Sequence, residues 1–433
     1  MKRDIYSQLE SWRHSPRRKP LVLNGARQVG KTYALQHFGK TYFKNMVYLN
    51  FEKDPKLAEY FEGSLDPKQI LKFLGLHTGS TIDPGNTLLV FDEVQACPRA
   101  LNSLKYFCEE ANEYHIAAAG SLLGVKVSQE EGFPVGKVNF YHLYPLSFFE
   151  FLSATNNDQL RHFLEENKTI TPFPLPLHEK LILLLKYYFF IGGMPEAVSE
   201  YIKHDNFLYV RDVQMEILSA YERDFAKHAP PNEVMKITTV WNQIHRQLAK
   251  ENKKFIFSSI RKSARGRDYE VAIQWLVDAG LLYKSHLVET PKFPLSAYAD
   301  GDAFKIFLVD IGLLGCQSGL SPRTIIEGNL LFTEFKGALT ENFVAQELIV
   351  SRQRKLYYWT SAGTAEIDFL LETDHEIYPL EVKAGESQKK KSLLVYGQKY
   401  EPSHLYRTTL MNLKADDKIV NYPLYLINRI FSI

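Results

Sequence analysis

Cysteine is scarce in this chain. Cys97, Cys108 and Cys316 are the only three in 433 residues, and no two of them have metal or redox spacing. That argues against a disulfide framework or a zinc site and points to a reducing compartment. An excess of one charge is also missing: 52 Lys and Arg against 50 Asp and Glu leave a net charge of +2. A polyanion would therefore have to be held by a local patch, not by the field of the whole molecule. The most apolar stretch, Leu181 to Ile191, is too short to span a bilayer and is broken by Lys186. The opening Met1-Lys2-Arg3-Asp4-Ile5 lacks the apolar core of a signal peptide. The 13 histidines show no metal-ligand spacing, and no Ser/His/Asp arrangement stands out. These absences predict a cytoplasmic protein without a membrane partner.

What is present fits a multidomain globular chain. Hydrophobic residues make up 45% and aromatics 13% of the sequence, ample for cores, and the length predicts two to four domains. The most informative string is Gly25-Ala26-Arg27-Gln28-Val29-Gly30-Lys31-Thr32, a complete G-x-x-x-x-G-K-[ST] phosphate-binding loop. It follows a short apolar run, Leu21-Val22-Leu23, and precedes the helical stretch Tyr33–Phe38. In that context backbone N–H groups close around a polyphosphate at the positive end of a helix. Lys31 is the residue placed to reach the β- and γ-phosphates, and the Thr32 hydroxyl to coordinate Mg²⁺. ATP and Mg²⁺ are the expected cofactors.

A second motif complements the first. Thr87-Leu88-Leu89-Val90-Phe91-Asp92-Glu93 is an apolar strand ending in two carboxylates, the Walker B pattern. Its end is expected to open beside the phosphate loop in a parallel sheet. Asp92 is then the metal-side carboxylate and Glu93 the general base for the attacking water, with Lys31 completing the catalytic set. Further strands are expected at Met46–Phe51, His115–Ala119 and Asn139–Leu143, with a helix at Ala100–Glu110. Strands alternating with helices predict an α/β fold, a parallel sheet covered on both faces. Ser121, after the fourth strand, is a candidate polar sensor of the γ-phosphate or an ordinary turn serine.

Downstream, Ser153 to Asp224 reads as helical. Asn232–Lys250 has apolar residues at helical spacing, and a helix from Asp268 through Ala279 is stopped by Gly280. Leu281–Lys284 and Ile306–Asp310 read as a wing, so residues 229–320 predict a winged helix. Seven cations (Lys250, Lys253, Lys254, Arg261, Lys262, Arg265, Arg267) face one acid, Glu251, between Lys250 and Arg267. The cluster suits either DNA phosphates or a solvated face. The Lys389-Lys390-Lys391 run reads as a solvated face. Last come helix-borne Glu341, a strand carrying Asp368, and Glu381-Val382-Lys383, whose Glu and Lys share one strand face.

In combination these motifs resemble the AAA-superfamily ATP-binding proteins of bacteria and archaea that carry a nuclease-like C-terminal domain. The likeness rests on Gly25–Thr32, Phe91–Gln95 with Pro98, Gly120-Ser121 and Leu143–Phe148 before Glu150-Phe151-Leu152. It extends to Gly192-Gly193-Met194-Pro195, Tyr221-Glu222-Arg223-Asp224 and Glu381-Val382-Lys383. The resemblance implies an ATPase core (1–152), a helical lid (153–228), the winged helix (229–320) and a PD-(D/E)XK nuclease-like domain (321–433). There Glu341, Asp368, Glu381 and Lys383 would share a metal ion and activate water. Where the family often has Gly-Arg before the fifth strand, this chain has Gly136-Lys137, and lysine lacks the planar grip of an arginine finger. Arg211 and Arg223 are alternatives, as sensor arginines or as structural ion-pair partners. Gly192–Pro195 reads as a structural chain reversal. Two functions stay open: an ATP-driven enzyme acting on double-stranded DNA, and a nucleotide-controlled switch or assembly module with a silent C-terminal fold. A homo-oligomer is a candidate assembly for either.

Overall fold

The computed structural model describes residues 1–120, 134, 136–248, 266–321, 336–351, 355–363, 365–385 and 390–430. The chain divides into two compact units, residues 1–144 with 278–280, and residues 145–277 with 281–433.

In the first unit five parallel strands form the sheet. They are β1 (Leu21–Asn24), β2 (Asn45–Asn50), β3 (Thr87–Asp92), β4 (His115–Ala119) and β5 (Asn139–His142), in the order β2-β3-β4-β1-β5. The fourth strand is thus inserted beside the strand that feeds the phosphate loop. Every residue of β3 and of β4 is buried, which is why both read as continuous apolar runs instead of alternating ones. Helices α1 (Ile5–His14), α2 (Lys31–Tyr42), α3 (Pro67–Thr78) and α4 (Pro98–Glu110) belong to the same unit. Asp66 caps α3 by accepting from Lys68 N, with Pro67 at the first helical position where its missing N–H does no harm. Val47, Leu49, Phe51, Leu89 and Phe91 pack with Ile70, Leu74, Leu104 and Phe107 in one core.

In the second unit the helices are α5 (Phe148–Ala154), α6 (Asp158–Glu166), α7 (Leu175–Ile191), α8 (Pro195–His204), α9 (Phe207–His228), α10 (Val234–Leu248) and α11 (Gly266–Asp278). Strands β6 (Leu282–Val288) and β7 (Ala299–Leu308) follow, then α12 (Ile311–Gln317) and α13 (Lys336–Val350). The chain continues through β8 (Leu356–Thr360), β9 (Glu366–Glu372), β10 (Ile377–Val382), α14 (Lys391–Tyr400), β11 (Leu405–Thr409), β12 (Lys414–Asp416) and β13 (Ile419–Pro423). One eight-stranded sheet runs β12-β13-β11-β10-β9-β8-β6-β7. Here the structure departs from the sequence expectation. The two strands read as a wing are antiparallel partners, but β6 also pairs in parallel with β8, so they form one end of this sheet. Residues 303–308 of β7 are buried without alternation although β7 is the edge strand, so both of its faces are covered there, a pattern that a solvent-facing wing would not show.

A buried polar cluster explains the two glycine- and proline-marked motifs of this unit. Asp310 Oδ2 accepts from Gly193 N at 2.6 Å and its Oδ1 from Leu313 N at 3.0 Å. A Cβ on Gly193 would lie 2.1 Å from the Leu146 carbonyl oxygen, so the chain reversal needs glycine there for close approach. Ser147 and Glu150 form a capping box at the start of α5, and Glu347 on α13 accepts from Phe148 N at 2.9 Å. Gln346 donates to the Tyr188 hydroxyl at 2.6 Å, and Tyr188 donates to Leu146 O. Phe148 and Tyr188 are thus tied to α13, and Gly193 to Asp310 at the start of α12. Among the described residues no single helix is long and apolar enough to cross a membrane.

Candidate functional site

Strand β1 ends at Asn24 and the chain enters the loop Gly25–Gly30 before α2 begins at Lys31. Gly25 adopts φ 149°, and a Cβ there would lie 2.1 Å from the Leu143 carbonyl oxygen, so only glycine fits. Gly30 adopts φ 93° at the start of α2. Lys31 is buried, and its ammonium donates to Gly25 O and Ala26 O, both at 2.8 Å. Burial lowers its pKa to about 8, against the opposing pull of Glu93 and Asp92.

Asp92 closes the site from β3. Thr32 Oγ1 lies 3.1 and 2.9 Å from its two carboxylate oxygens, so the loop hydroxyl and the strand carboxylate face one point. Oxygen donors from a loop threonine and a strand aspartate are the set that suits Mg²⁺ beside a polyphosphate. The residues present fit that ion. Glu93 turns out of the strand in the left-handed conformation, φ 49°, and Gln95 donates to its Oε2. The structure thus brings Lys31, Thr32, Asp92 and Glu93 to the ends of β1 and β3. Ser121 lies outside the described residues.

Two residues here escape motif reading. Tyr48 donates to Asp92 Oδ2 at 2.5 Å, and Asn50 Nδ2 lies 3.2 Å from the Tyr48 hydroxyl and 3.4 Å from the same carboxylate oxygen. The signal was the alternation in β2: Tyr48 and Asn50 share a face, and Asn50 pairs with Asp92 in the sheet register. Burial is the first cause raising the pKa of Asp92, and the hydrogen bonds from Tyr48 and Thr32 oppose it.

The arginine-finger candidates are occupied or outward. Arg211 donates to Gln214 Oε1 at 2.7 Å and Leu320 O at 2.6 Å, and lies 4.4 Å over the Phe190 ring. Arg223 is exposed on α9. Lys137 pairs with Glu109 at 2.8 Å.

In the C-terminal sheet Asp368, Glu381 and Lys383 come together. Lys383 Nζ lies 3.0 Å from Glu381 Oε1, and Asp368 Oδ2 accepts from Val382 N at 2.8 Å. Burial raises the pKa of Glu381, Lys383 opposes the rise, and Asp368 adds to it. Glu341 is buried on α13. Among the described residues no group of three or more His, Cys, Asp and Glu is arranged to hold a metal ion. One oxygen of Glu381 is taken by the Lys383 ammonium and one of Asp368 by a backbone N–H, while Glu381 Oε2 is buried without a hydrogen-bond partner. Arg407 is a further member: it pairs in register with Glu381, is buried, and donates from Nε to Asn421 Oδ1 at 3.2 Å. No sequence motif marks it. Lys250, Lys253, Lys254, Arg261, Lys262, Arg265, the side chain of Arg267, and Lys389 lie outside the described residues, so the basic cluster has no structural account.

The comparisons match this geometry at the level of the first unit. Residues 17–152 match the family model described as AAA domain. Residues 182–324 and 336–427 match two domains of unknown function, DUF8612 and DUF4143. The chain therefore carries a P-loop ATPase domain of the AAA type. No curated protein matches. Among solved structures, the chain is similar to the Walker-type ATPase PABY2304 of Pyrococcus abyssi, at 14% identity over 73% of this chain and 95% of that one, with a TM-score of 0.43. The Aeropyrum pernix ORC1 protein in complex with DNA matches at 12% identity over 73% and 90%, with a TM-score of 0.30. Drosophila ORC bound to DNA matches at 13% over 74% and 94%, with a TM-score of 0.27.

Proposed function

We propose that this chain binds and hydrolyses ATP–Mg²⁺ at Gly25–Thr32, Asp92 and Glu93, and that the nucleotide cycle gates a C-terminal nuclease-like module acting on DNA. The observation that carries the ATPase reading is the convergence of Lys31, Thr32 and Asp92 on one point at the end of β1. Bound Mg²⁺ would neutralise the charge that develops on the β- and γ-phosphates. Thr32 and Asp92 would hold it. Lys31 would exchange its two carbonyl partners for phosphate oxygens, a stronger, charge-assisted pairing. Glu93, released from Gln95, would accept the proton of the attacking water.

A second reading of the C-terminal module has its own support. The Glu381–Lys383 ion pair and the bond that Asp368 accepts from Val382 N already engage two of the carboxylates that a metal would need. That favours a nucleotide-controlled switch or assembly protein whose nuclease-like fold binds a partner without cutting. The experiment for both readings measures ATP hydrolysis with and without double-stranded DNA, at low and moderate salt, and looks for cleaved DNA in the same tubes. Hydrolysis stimulated by DNA with strand cleavage supports the first reading. Hydrolysis with intact DNA under every metal supports the second. No hydrolysis at all removes the ATPase proposal.

A further inference from the structure

Asp92 is a buried carboxylate followed directly by a second acid, Glu93, so its orientation depends on the hydrogen bonds its neighbours donate. Thr32 is one such donor, but a threonine that turns its oxygen to a metal ion no longer donates in the same direction. The donors that stay are on β2. Asn50 Oδ1 accepts from Glu52 N at 3.1 Å and Lys53 N at 2.8 Å, which fixes the amide with its Nδ2 toward Tyr48 and Asp92. Asn50 donates to the Tyr48 oxygen, so the Tyr48 hydroxyl proton is left for Asp92 Oδ2, 2.5 Å away. The result is a directed chain: backbone of the turn at 52–53, Asn50, Tyr48, Asp92. Ladder pairing of β2 with β3, Tyr48 opposite Val90 and Asn50 opposite Asp92, holds it in place.

We propose that Tyr48, oriented by Asn50, is a positioning residue that holds the Asp92 carboxylate aimed at the Mg²⁺ of bound nucleotide. This rests on the ATP-site reading above and deepens it. Tyr48 acts on the metal through Asp92, so its loss weakens the nucleotide only when metal is present. A contact with ATP itself would weaken binding with or without metal, and a purely structural role would lower thermal stability without separating the two.

The test is calorimetric titration of ATP into wild type, Tyr48→Phe and Asn50→Ala, each in EDTA and across a Mg²⁺ series, with melting curves of the unliganded proteins. Tyr48→Phe keeps the ring and loses only the donor. It should raise the half-saturating Mg²⁺ concentration by about fivefold or more, the scale of one hydrogen bond to a charged group. ATP affinity in EDTA should stay within about twofold of wild type, because no phosphate contact is removed. Asn50→Ala should shift the Mg²⁺ dependence in the same direction by a smaller factor. An unchanged Mg²⁺ dependence in Tyr48→Phe overturns the proposal, as does an equal loss of affinity in EDTA. If wild type shows no ATP binding under any condition, the ATP-site reading fails and this proposal falls with it. If wild type binds ATP and only the metal shift is missing, the positioning role alone is wrong.

Discussion

Lys31 and Gly25 are tied together: the lysine ammonium donates to the glycine carbonyl at 2.8 Å and equally to that of Ala26. Lys31 is thus folded back on its own loop, with its ammonium buried. Phosphate is the partner that would draw it out, because carbonyl dipoles compensate a buried ammonium less well than an anion does.

Replacing Lys31 with alanine removes the main positive charge of the loop. ATP–Mg²⁺ affinity should fall about 10- to 100-fold or beyond detection, the range for a charged hydrogen bond. Calorimetry on a variant with an unchanged melting curve checks this. Unaltered affinity would mean that the nucleotide lies elsewhere.

The lowered pKa of Lys31, about 8, gives binding a pH signature. Phosphate needs the ammonium form, and the unliganded site loses that proton as pH rises through about 8 instead of the ordinary 10.5. ATP affinity should therefore decline above pH 8, and binding at pH 8.5 to 9 should take up a proton. Repeating the calorimetry in two buffers of different ionisation enthalpy reads that proton directly. In the unliganded fold the sign is the reverse: the desolvation penalty on Lys31 is present below pH 8 and fades between 8 and 10.5, so it contributes instability only at the lower pH.

Glu93→Gln keeps the size of the side chain and removes the base. ATP binding should persist while turnover drops by roughly 10²- to 10⁴-fold, the contribution of general base catalysis. Gln95→Ala, which frees Glu93 Oε2 from its amide donor, should leave binding intact. Stopped-flow binding beside steady-state hydrolysis separates the two parameters.

Legibility from sequence followed the physics of each element. The P-loop and β3 were readable because each uses a residue type that its job leaves no choice about: glycine where Leu143 O crowds the backbone, a continuous apolar run where both sheet faces are covered. Tyr48 and Asn50 were not, because a tyrosine and an asparagine in an alternating strand are ordinary until the partner strand is known. The β6–β7 pair was misplaced for a related reason. A hairpin after a helix–turn–helix pattern looks like a wing, and only the non-local parallel pairing of β6 with β8 shows its sheet. Arg407 was invisible because it gains its meaning from Glu381, 26 positions earlier in the chain and adjacent only through β-pairing.

Asp310 gives the second unit its own pH test. Burial raises its pKa to about 6 despite three backbone donors. A carboxyl whose folded pKa lies above its unfolded value contributes stability that is full below about 4 and is lost as pH rises to about 6. Chemical denaturation followed between pH 4 and 7 should show that decline superimposed on other titrations. Asp310→Asn should be less stable overall and lack that component of the slope. Gly193→Ala should destabilise the same unit by more than about 2 kcal/mol at any pH, since its Cβ meets backbone that cannot move aside.

The Glu381–Lys383 pair decides between the two readings of the C-terminal sheet. If it is a structural ion pair, Lys383→Ala strands a buried carboxylate beside Asp368. The unit should then lose about 1–3 kcal/mol, less than a fully buried pair because Lys383 is a third exposed. Glu381→Gln with Lys383→Met should recover most of that loss, because neither member of the pair is then left charged without the other. If the residues instead serve phosphodiester hydrolysis, Lys383→Ala should cost cleavage far more than stability, and added Mn²⁺ should protect wild type, but not Asp368→Ala, against thermal unfolding. The deciding experiment is therefore a double-mutant cycle in melting temperature, run beside cleavage of linear and circular DNA with Mn²⁺, with and without ATP. Strong coupling between the two side chains without cleavage establishes the scaffold. Metal-dependent cleavage lost in Lys383→Ala and Asp368→Ala, with ATP hydrolysis intact in both, establishes the nuclease.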